Sequence, residues 1–442
     1  MNDFDVVIVG GGLVGAYAVR RLEQLKLRVA LIDKSNFEAR TGAVFEAHYY
    51  GQVDGYRNKP VGGLSPFWGG QIQQGDGENL RRVLGGVGQM FTDSEIAAAQ
   101  DNVMEFLGLE EMAYRPSSTG QGFTRVLNRW LGKRRFFGTT ILRDNKKISV
   151  LLGKVLSIDV RELDNGYRIE YVDLELNAQV LTSRRVVFTA GVMGLAEYVL
   201  GLKQEKVLHY RDHYSISLGV SAASSELGRS IRPLFIGGQI VTPRIYFQKF
   251  YADAFSLYAS MPLQRELGIL RNKLSKGLFQ ALTFVLLNAK VLQLTAFIFW
   301  MIAARVTQSR LPVVGRKVNV NAFVDSGLVG PLTIRKSAND VHIDMLSEKD
   351  FDCLRDRIRQ TVRELGLDIE RSGNQESYFD CGYHAYSLSD ETGQPASNVL
   401  TEIGIPVLGA SELGDIGDRN PMFLSLVYSE LHLKRLLHDE KI

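Results

Sequence analysis

The sequence predicts an α/β protein in which a βαβ domain on a parallel sheet is joined to a second, α+β domain on an antiparallel sheet. Three observations carry this. First, Asp5-Val6-Val7-Ile8-Val9 runs into Gly10-Gly11-Gly12-Leu13-Val14-Gly15 and a helical pattern, and Val29-Ala30-Leu31-Ile32 follows, ending on Asp33. Second, Val186-Val187-Phe188-Thr189-Ala190-Gly191 repeats the order of buried strand and glycine turn, with a helix expected from about Leu195. Third, the chain is β-rich from Ser215 to about Met345, broken by one apolar insertion. At 442 residues it exceeds what one hydrophobic core usually supports, so two domains are expected.

The first unit reads as a Rossmann-like dinucleotide site. Gly10 permits the tight turn out of the strand, Gly12 lets the backbone approach a pyrophosphate, and Gly15 lets the helix pack closely. The first helical turn, with Leu13 and Val14, offers unpaired N–H groups and a positive dipole end to the phosphates. Asp33, with Lys34 beside it, closes the second strand where a carboxylate can accept hydrogen bonds from the adenosine ribose. Strand, glycines, helix, second strand and terminal acid in one order are far more specific than a lone glycine triplet.

Further along comes a glycine- and aromatic-rich loop, Pro60-Val61-Gly62-Gly63-Leu64-Ser65-Pro66-Phe67-Trp68-Gly69-Gly70. Thr92-Asp93-Ser94-Glu95 supplies an N-cap with acids in the first turn, predicting a helix over Ile96 to Leu107 that Gly108 ends. Ile148 to Tyr171 is β-like, and Glu348 to Leu365 is a charged amphipathic helix. Tyr383-His384, a strand-like Pro406-Val407-Leu408-Gly409, and Asn420-Pro421 leading into a helix to Leu437 close the chain. No fixed-period repeat or low-complexity tract interrupts this order.

Composition narrows the classes. Apolar residues make up 45%, charged residues 23%, and the net charge is only +3, which fits an ordinary globular protein and no nucleic-acid partner. Two cysteines, Cys353 and Cys381, give no disulfide framework and too few thiols for a structural zinc site, which fits a cytoplasmic setting. The glycines interrupt the apolar run at the start, so no export signal is expected. His209 and His213 stand four apart and could share a helix face as metal ligands, but no third ligand accompanies them, so no metal is expected. Cys381, three residues before His384, also admits a Cys-His nucleophile reading beside that of a small buried hydrophobe.

Taken together these motifs resemble the glucose-methanol-choline oxidoreductase family, FAD-dependent enzymes that oxidise alcohols and sugars, and the resemblance runs from end to end. Gly62, Gly63, Trp68, Gly69 and Gly70 look like the flavin-side loop of the pyranose oxidase and gluconate dehydrogenase branch. Phe67 stands where some pyranose oxidases carry the histidine joined to the flavin, so the resemblance implies FAD held without a covalent link. Ala190 and Gly191 match the family's third nucleotide-facing strand end, the Val155 region its adenine-contacting segment, and Asp212-His213 the pair that begins its substrate sheet. Gly409, Pro421 and Met422 fall on the flavin side, and His384 and Asn420 stand where the family keeps its flavin-facing histidine and its partner. The implied FAD-binding domain is discontinuous, 1–80, 140–214 and 375–442, with a substrate-binding domain from 81–139 and 215–374. Ala385 to Asp390 replaces the family's Gly-Thr-x-Arg-Met-Gly run and Gly409 its usual acid, so neither glucose-like substrates nor rapid reaction with oxygen are implied.

The chemistry asks for these residue types. Oxidising an alcohol removes a hydroxyl proton as hydride leaves carbon, so a base must stand within hydrogen-bond reach of that hydroxyl, and histidine titrates near neutrality. His384 is the expected base and Asn420 the amide donor that orients substrate and supports the developing alkoxide. Pro421 at the first helical position places Asn420 at a helix N-terminus. The expected substrate is a sugar, glycoside or related polyol, and the electron acceptor is left open among oxygen, a quinone and a protein. Two rivals share the scaffold: a flavoprotein with a non-oxidative reaction, and a degenerate flavin-binding protein.

The insertion 277–304 is the second unusual feature. Its only charge is Lys290, and Arg271, Lys273, Lys276, Arg305 and Arg310 flank it. Its length would allow a membrane span, but Lys290, Gln280, Asn288 and Gln293 argue against one. Two shorter helices either side of Lys290 fit better. These either pack internally or against a second copy of the chain, or lie in a membrane interface, where Phe297, Phe299, Trp300 and the basic flanks are at home. The last case would put the protein at the inner face of a membrane and suggest an amphiphilic alcohol or lipid-linked sugar as substrate.

Overall fold

The structure, a computed structural model, describes residues 3–34, 71–72, 80–81, 83–84, 88–109, 117–119, 123–130, 137–145, 147–161, 166–202, 207–222, 224–231, 234–236, 239–246, 250–253, 277, 299, 302–307, 309, 317–328, 330–337, 340–344, 347–364, 369–370, 379–381, 385–414, 416 and 421–438. The chain opens with β1 (Phe4–Val9), α1 (Leu13–Glu23) and β2 (Val29–Asp33), followed by β3 (Gln71–Ile72), α2 (Asp93–Phe106), β4 (Ser117–Thr119), β5 (Phe123–Trp130) and α3 (Phe137–Asp144). Next come β6 (Ser149–Arg161), β7 (Gly166–Asp173), β8 (Ala178–Phe188), α4 (Gly191–Leu202), β9 (Val207–Arg211), β10 (His213–Ala222), α5 (Glu226–Ile231), β11 (Leu234–Ile236), β12 (Gln239–Tyr246) and β13 (Phe250–Asp253). After the insertion follow β14 (Lys317–Asp325), β15 (Leu332–Ser337), β16 (Asp340–Ile343), α6 (Glu348–Glu364), β17 (Phe379–Cys381), β18 (Tyr386–Ser389), α7 (Asn398–Thr401) and α8 (Pro421–His438).

A parallel sheet lies at the centre, in the order β6-β2-β1-β8, with Val7 level with Ala30 and Val186. β6 and β8 are long enough to continue beyond it and pair with β7 between them, so the five strands close into a ring. Both faces of the parallel part are covered, which is why β1 and β2 read as near-continuous apolar runs. Val7, Val9, Ala30 and Ile32 face a core shared with β7 and α4. Val6, Ile8, Val29 and Leu31 face α1, α2 and α8.

The antiparallel part agrees with the expected second layer: a nine-stranded sheet with the path β17-β10-β14-β13-β12-β5-β3, and a four-stranded sheet, β16-β15-β9-β18. The predicted helix stop and start at α2 are present: the Thr92 side chain accepts from Glu95 N–H, Glu95 accepts from Thr92 N–H, and Gly108 ends the helix at φ 64°. Two expectations change. α4 begins at Gly191 rather than near Leu195, because Gly191 takes φ +70° and turns the chain directly into the helix. Pro406 to Gly409 forms a single parallel bridge, Val407 with Phe188, in place of a strand. Pro406 has no N–H to donate, and Gly409 at φ 122°, ψ −159° leaves the range of L-residues.

Candidate functional site

The glycine turn is held from both neighbouring strands. Gly10 N–H donates to Ile32 C=O at 2.8 Å, and Thr189 N–H donates to Val9 C=O at 2.7 Å. The buried Thr189 hydroxyl donates to Gly10 C=O at 2.6 Å. Each glycine is required for a different reason. Gly10 sits at φ +109°, and a Cβ there would lie 2.4 Å from Ala190 Cα; a Cβ on Gly15 would lie 2.0 Å from the Gly10 oxygen. A Cβ on Gly12 would meet no atom within 4 Å. Gly12 has extended backbone any residue could adopt, so its freedom is purely spatial: it leaves open a hollow at the start of α1.

That hollow suits a phosphate. The N-cap Gly12 has no side chain to cap α1, and the helix's first turn carries no acid, so its leading N–H groups suit an anion. It belongs to a cleft of about 1170 Å³, part of it open to solvent, which Gly10, Gly12, Leu13 and Val14 line together with Ala190 and Gly191. Gly15 lies behind the turn, packed on Gly10 and Thr189. Asp33 and Lys34 line the same cleft. Asp33 accepts from Gly11 N–H, so its carboxylate braces the turn as well as lining the cleft. Lys34 Nζ pairs with Glu197 of α4 at 2.5 and 2.7 Å. Val155 lines the cleft at a bulge in β6, between Val155 and Ser157.

The facing wall comes from the end of the chain. Phe188 N–H donates to Pro406 C=O and Leu408 N–H to Phe188 C=O, which carries the chain to Gly409 at φ +122° on the cleft. The expected helix does start at Pro421, and Pro421, Met422 and Ser425 line the cleft with its first turn. α8 is pinned by the buried Glu430, which accepts from Tyr17 at 2.6 Å, from Arg21 at 2.9 Å to each oxygen, and from Asn102 at 2.7 Å. Near the bend, Ser397 Oγ donates to Glu412 at 2.8 Å, while the other carboxyl oxygen has no hydrogen-bond partner among the described residues. Loss of hydration pushes the Glu412 carboxyl up to about 7.

At the seam between the antiparallel sheets, buried Asp212 separates β9 from β10, and His213 stacks on Tyr386 with ring centroids 5.5 Å apart. The Tyr386 hydroxyl donates to Asp325. Cys381 pairs with Tyr214 and Tyr386 with Arg211, so the chain on either side of His384 is anchored here. His209 and His213 do not share a helix face. Val207 to Arg211 alternates in burial with period two, so they lie on consecutive strands in different sheets, and among the described residues no cluster suited to a metal occurs. His384, Asn420, Gly62, Gly63, Trp68, Gly69, Gly70 and Phe67 lie outside the described residues, as does the insertion between 277 and 299.

Thr189, Glu197, Tyr198 and Ser425 were not marked by the sequence as site residues, yet all line the cleft. Burial pushes the Tyr198 hydroxyl up to about 12, so it is a standing donor at neutral pH. The segment holding Thr189 was legible; the hydroxyl's role against Gly10 depends on a contact between distant strands.

No protein-family model and no curated protein matches the sequence. Among solved structures it is similar to pyridoxine 4-oxidase from Mesorbium loti, at 13% identity over 99% of this chain and 100% of that one, TM-score 0.48. It is also similar to a flavoprotein/dehydrogenase from Cytophaga hutchinsonii, at 10% identity over 99% and 80%, TM-score 0.37. A third is the halogenase PltM, at 11% identity over 98% and 68%, TM-score 0.34. Likeness at this level carries no activity across, and function rests on the site.

Proposed function

We propose that this chain is an FAD-dependent oxidoreductase that oxidises an alcohol group on a sugar, glycoside or related polyol. The observation that supports it most is that one cleft joins the open hollow at Gly12, the acid at Asp33, the turn at Ala190-Gly191 and the first turn of α8. This is a site for an extended dinucleotide with its phosphates on α1 and its far end under α8. In this reading residues 1–80, 140–214 and 375–442 hold the cofactor, and 81–139 and 215–374 shape the substrate side. Asp33 and Lys34 take the adenosine end, Val155 contacts the adenine through its backbone, and Gly62, Gly63, Trp68, Gly69 and Gly70 lie against the flavin.

FAD, when bound, supplies a two-electron acceptor for the hydride that leaves the alcohol carbon. His384 takes the hydroxyl proton, so the alcohol becomes a carbonyl compound, and Asn420 donates its amide N–H to the alcohol oxygen. Pro421 and Met422, in the first turn of α8, present a positive helix end to the cleft, where negative charge gathers as the substrate is oxidised. The seam residues Tyr386 and Asp325 hold the strand that follows His384.

The test is direct. The purified protein should be yellow and release FAD on denaturation. His384→Ala should keep the flavin but lose its bleaching by alcohol substrates in anaerobic stopped flow, across a panel of sugars, glycosides and lipid alcohols. A protein that stays colourless after incubation with FAD overturns the reading. Bound flavin that no alcohol bleaches favours the non-oxidative or binding rivals.

A further inference from the structure

We propose that the exposed apolar side chains of Phe299, Ile302 and Val306 dock on an anionic lipid bilayer, so that the protein works at a membrane surface without crossing it. The inference does not depend on the flavin reading. It starts from charge. Between Leu267 and Val324 there are 58 residues with no Asp or Glu, and with Arg271, Lys273, Lys276, Lys290, Arg305, Arg310, Arg316 and Lys317. The chain as a whole carries 52 Lys and Arg against 49 Asp and Glu, so the rest of it is net acidic, 44 against 49. All of the positive excess is thus concentrated around the apolar stretch.

The structure adds a second, independent observation at the end of that stretch. Phe299 and residues 302–306 are helical, and Phe299, Ile302 and Val306 are 71%, 59% and 77% exposed. Their spacing of three and four residues puts them in one stripe. Ala304, on the opposite side of the turn, is buried, so the helix already has a protein-facing side and the apolar stripe is the other one. Arg305 is exposed at the border of the stripe. An apolar stripe edged by cations is what an interfacial helix presents to a bilayer: the side chains enter the acyl boundary and the cations stay among the headgroups. Among the described residues no helix is long and apolar enough to cross a membrane.

Charge also selects among partners. Two copies meeting through this segment in a symmetric dimer would bring together two identical stretches that carry cations and no acids, which is repulsive. An anionic bilayer is complementary to it.

The full-length protein should co-float with vesicles of phosphatidylglycerol and phosphatidylcholine, far less with phosphatidylcholine alone, and lose binding as salt shortens the Debye length. Phe299→Ser with Val306→Ser removes only exposed side chains, so its circular dichroism and melting should match the parent while vesicle binding falls about tenfold or more. Arg305→Gln with Arg310→Gln should weaken binding at low salt and little at high salt. Three results would overturn the proposal: no binding to anionic vesicles, undiminished binding by the double serine variant, or a concentration-dependent dimer that this variant disperses while the parent ignores vesicles. A parent that binds both vesicle types equally, indifferent to salt, overturns it too.

Discussion

At the start of α1 the cleft wall is specified by three glycines within six residues, whereas the wall across from it, at the start of α8, takes its place from Glu430, about two and a half helical turns away. The first wall is local. Gly10 and Gly15 are demanded by the backbone atoms around them, and Gly12 by the open hollow it leaves in front of it. The second wall is positional: Pro421 and Met422 face the cleft because Glu430 ties α8 to Tyr17 and Arg21 of α1 and to Asn102 of α2. Changes in the first wall should therefore separate folding from binding by single residues, and changes in the second should move both together.

The largest effect is expected from Gly10→Ala and Gly15→Ala. Each puts a methyl group within 2.4 Å of backbone, and Gly10 also sits at positive φ, so destabilisation of about 4 kcal/mol or more, or loss of soluble protein, should follow. Gly12→Ala is the control that sharpens the contrast. Its methyl enters empty space, so the melting temperature of the cofactor-free protein should hold, while FAD affinity drops about tenfold or more. Equal melting losses in all three variants would mean that the hollow at Gly12 is not a binding feature.

Next comes Glu430→Ala, which leaves an Arg21 guanidinium and a buried tyrosine hydroxyl without their shared acceptor. A loss of about 3–5 kcal/mol is expected in denaturant titrations. Because α8 carries the far wall, FAD release should quicken in the same variant. A stability loss with unchanged release would show that the first turn of α8 is placed by something other than this network.

The difference between the walls also explains what could be read in advance. Gly10 to Gly15, Asp33 and the turn at Ala190-Gly191 were legible because the order of strand, glycine turn and acid is written within a few residues of sequence, although the atoms that a Cβ on Gly10 would meet belong to Thr189 and Ala190 at the end of a distant strand. The N-cap at Thr92 and the helix start at Pro421 were legible for the same reason. Glu197, Thr189 and Glu430 were silent: a carboxylate or hydroxyl in a helix or strand has no fixed meaning until a segment hundreds of residues away meets it. The spacing of His209 and His213, four apart, also fits a helix face, but the alternation around His209 belongs to a strand. Pro406 to Leu408 looked like a strand by hydrophobicity, but the proline and the conformation of Gly409 limited it to one bridge.

Glu412 and His432 test the far wall by pH. In the fold Glu412 is raised from 4.5 to about 7, so its contribution to stability is fully present below pH about 4.5 and is lost as pH rises through about 7. His432, against the rings of Tyr428 and Phe91, is lowered by burial from 6.5 to about 4; its contribution is present above pH 6.5 and is lost as pH falls through about 4. In the parent the Glu412 loss of about 3 kcal/mol between acid and neutral pH is opposed by a gain of similar size from His432, so its stability should stay nearly level, whereas Glu412→Gln should remove the loss and leave stability rising with pH. Denaturant midpoints for parent and variant that run parallel from pH 5 to 8 would exclude this role for Glu412.

The smallest effect concerns the mouth of the first wall, and it asks whether anything there is positional rather than local. Lys34 and Glu197 are both partly exposed, so their pair should add less than about 1 kcal/mol to stability and be weakened by salt. Both nonetheless line the cleft beside Asp33, and the pair spans from the end of β2 to α4. Glu197→Gln should leave melting within about 0.5 kcal/mol of the parent while raising the FAD dissociation rate a few-fold at low salt, with the gap closing at high salt. If the two rates already agree at low salt, the ion pair is only surface decoration, and this wall is local throughout.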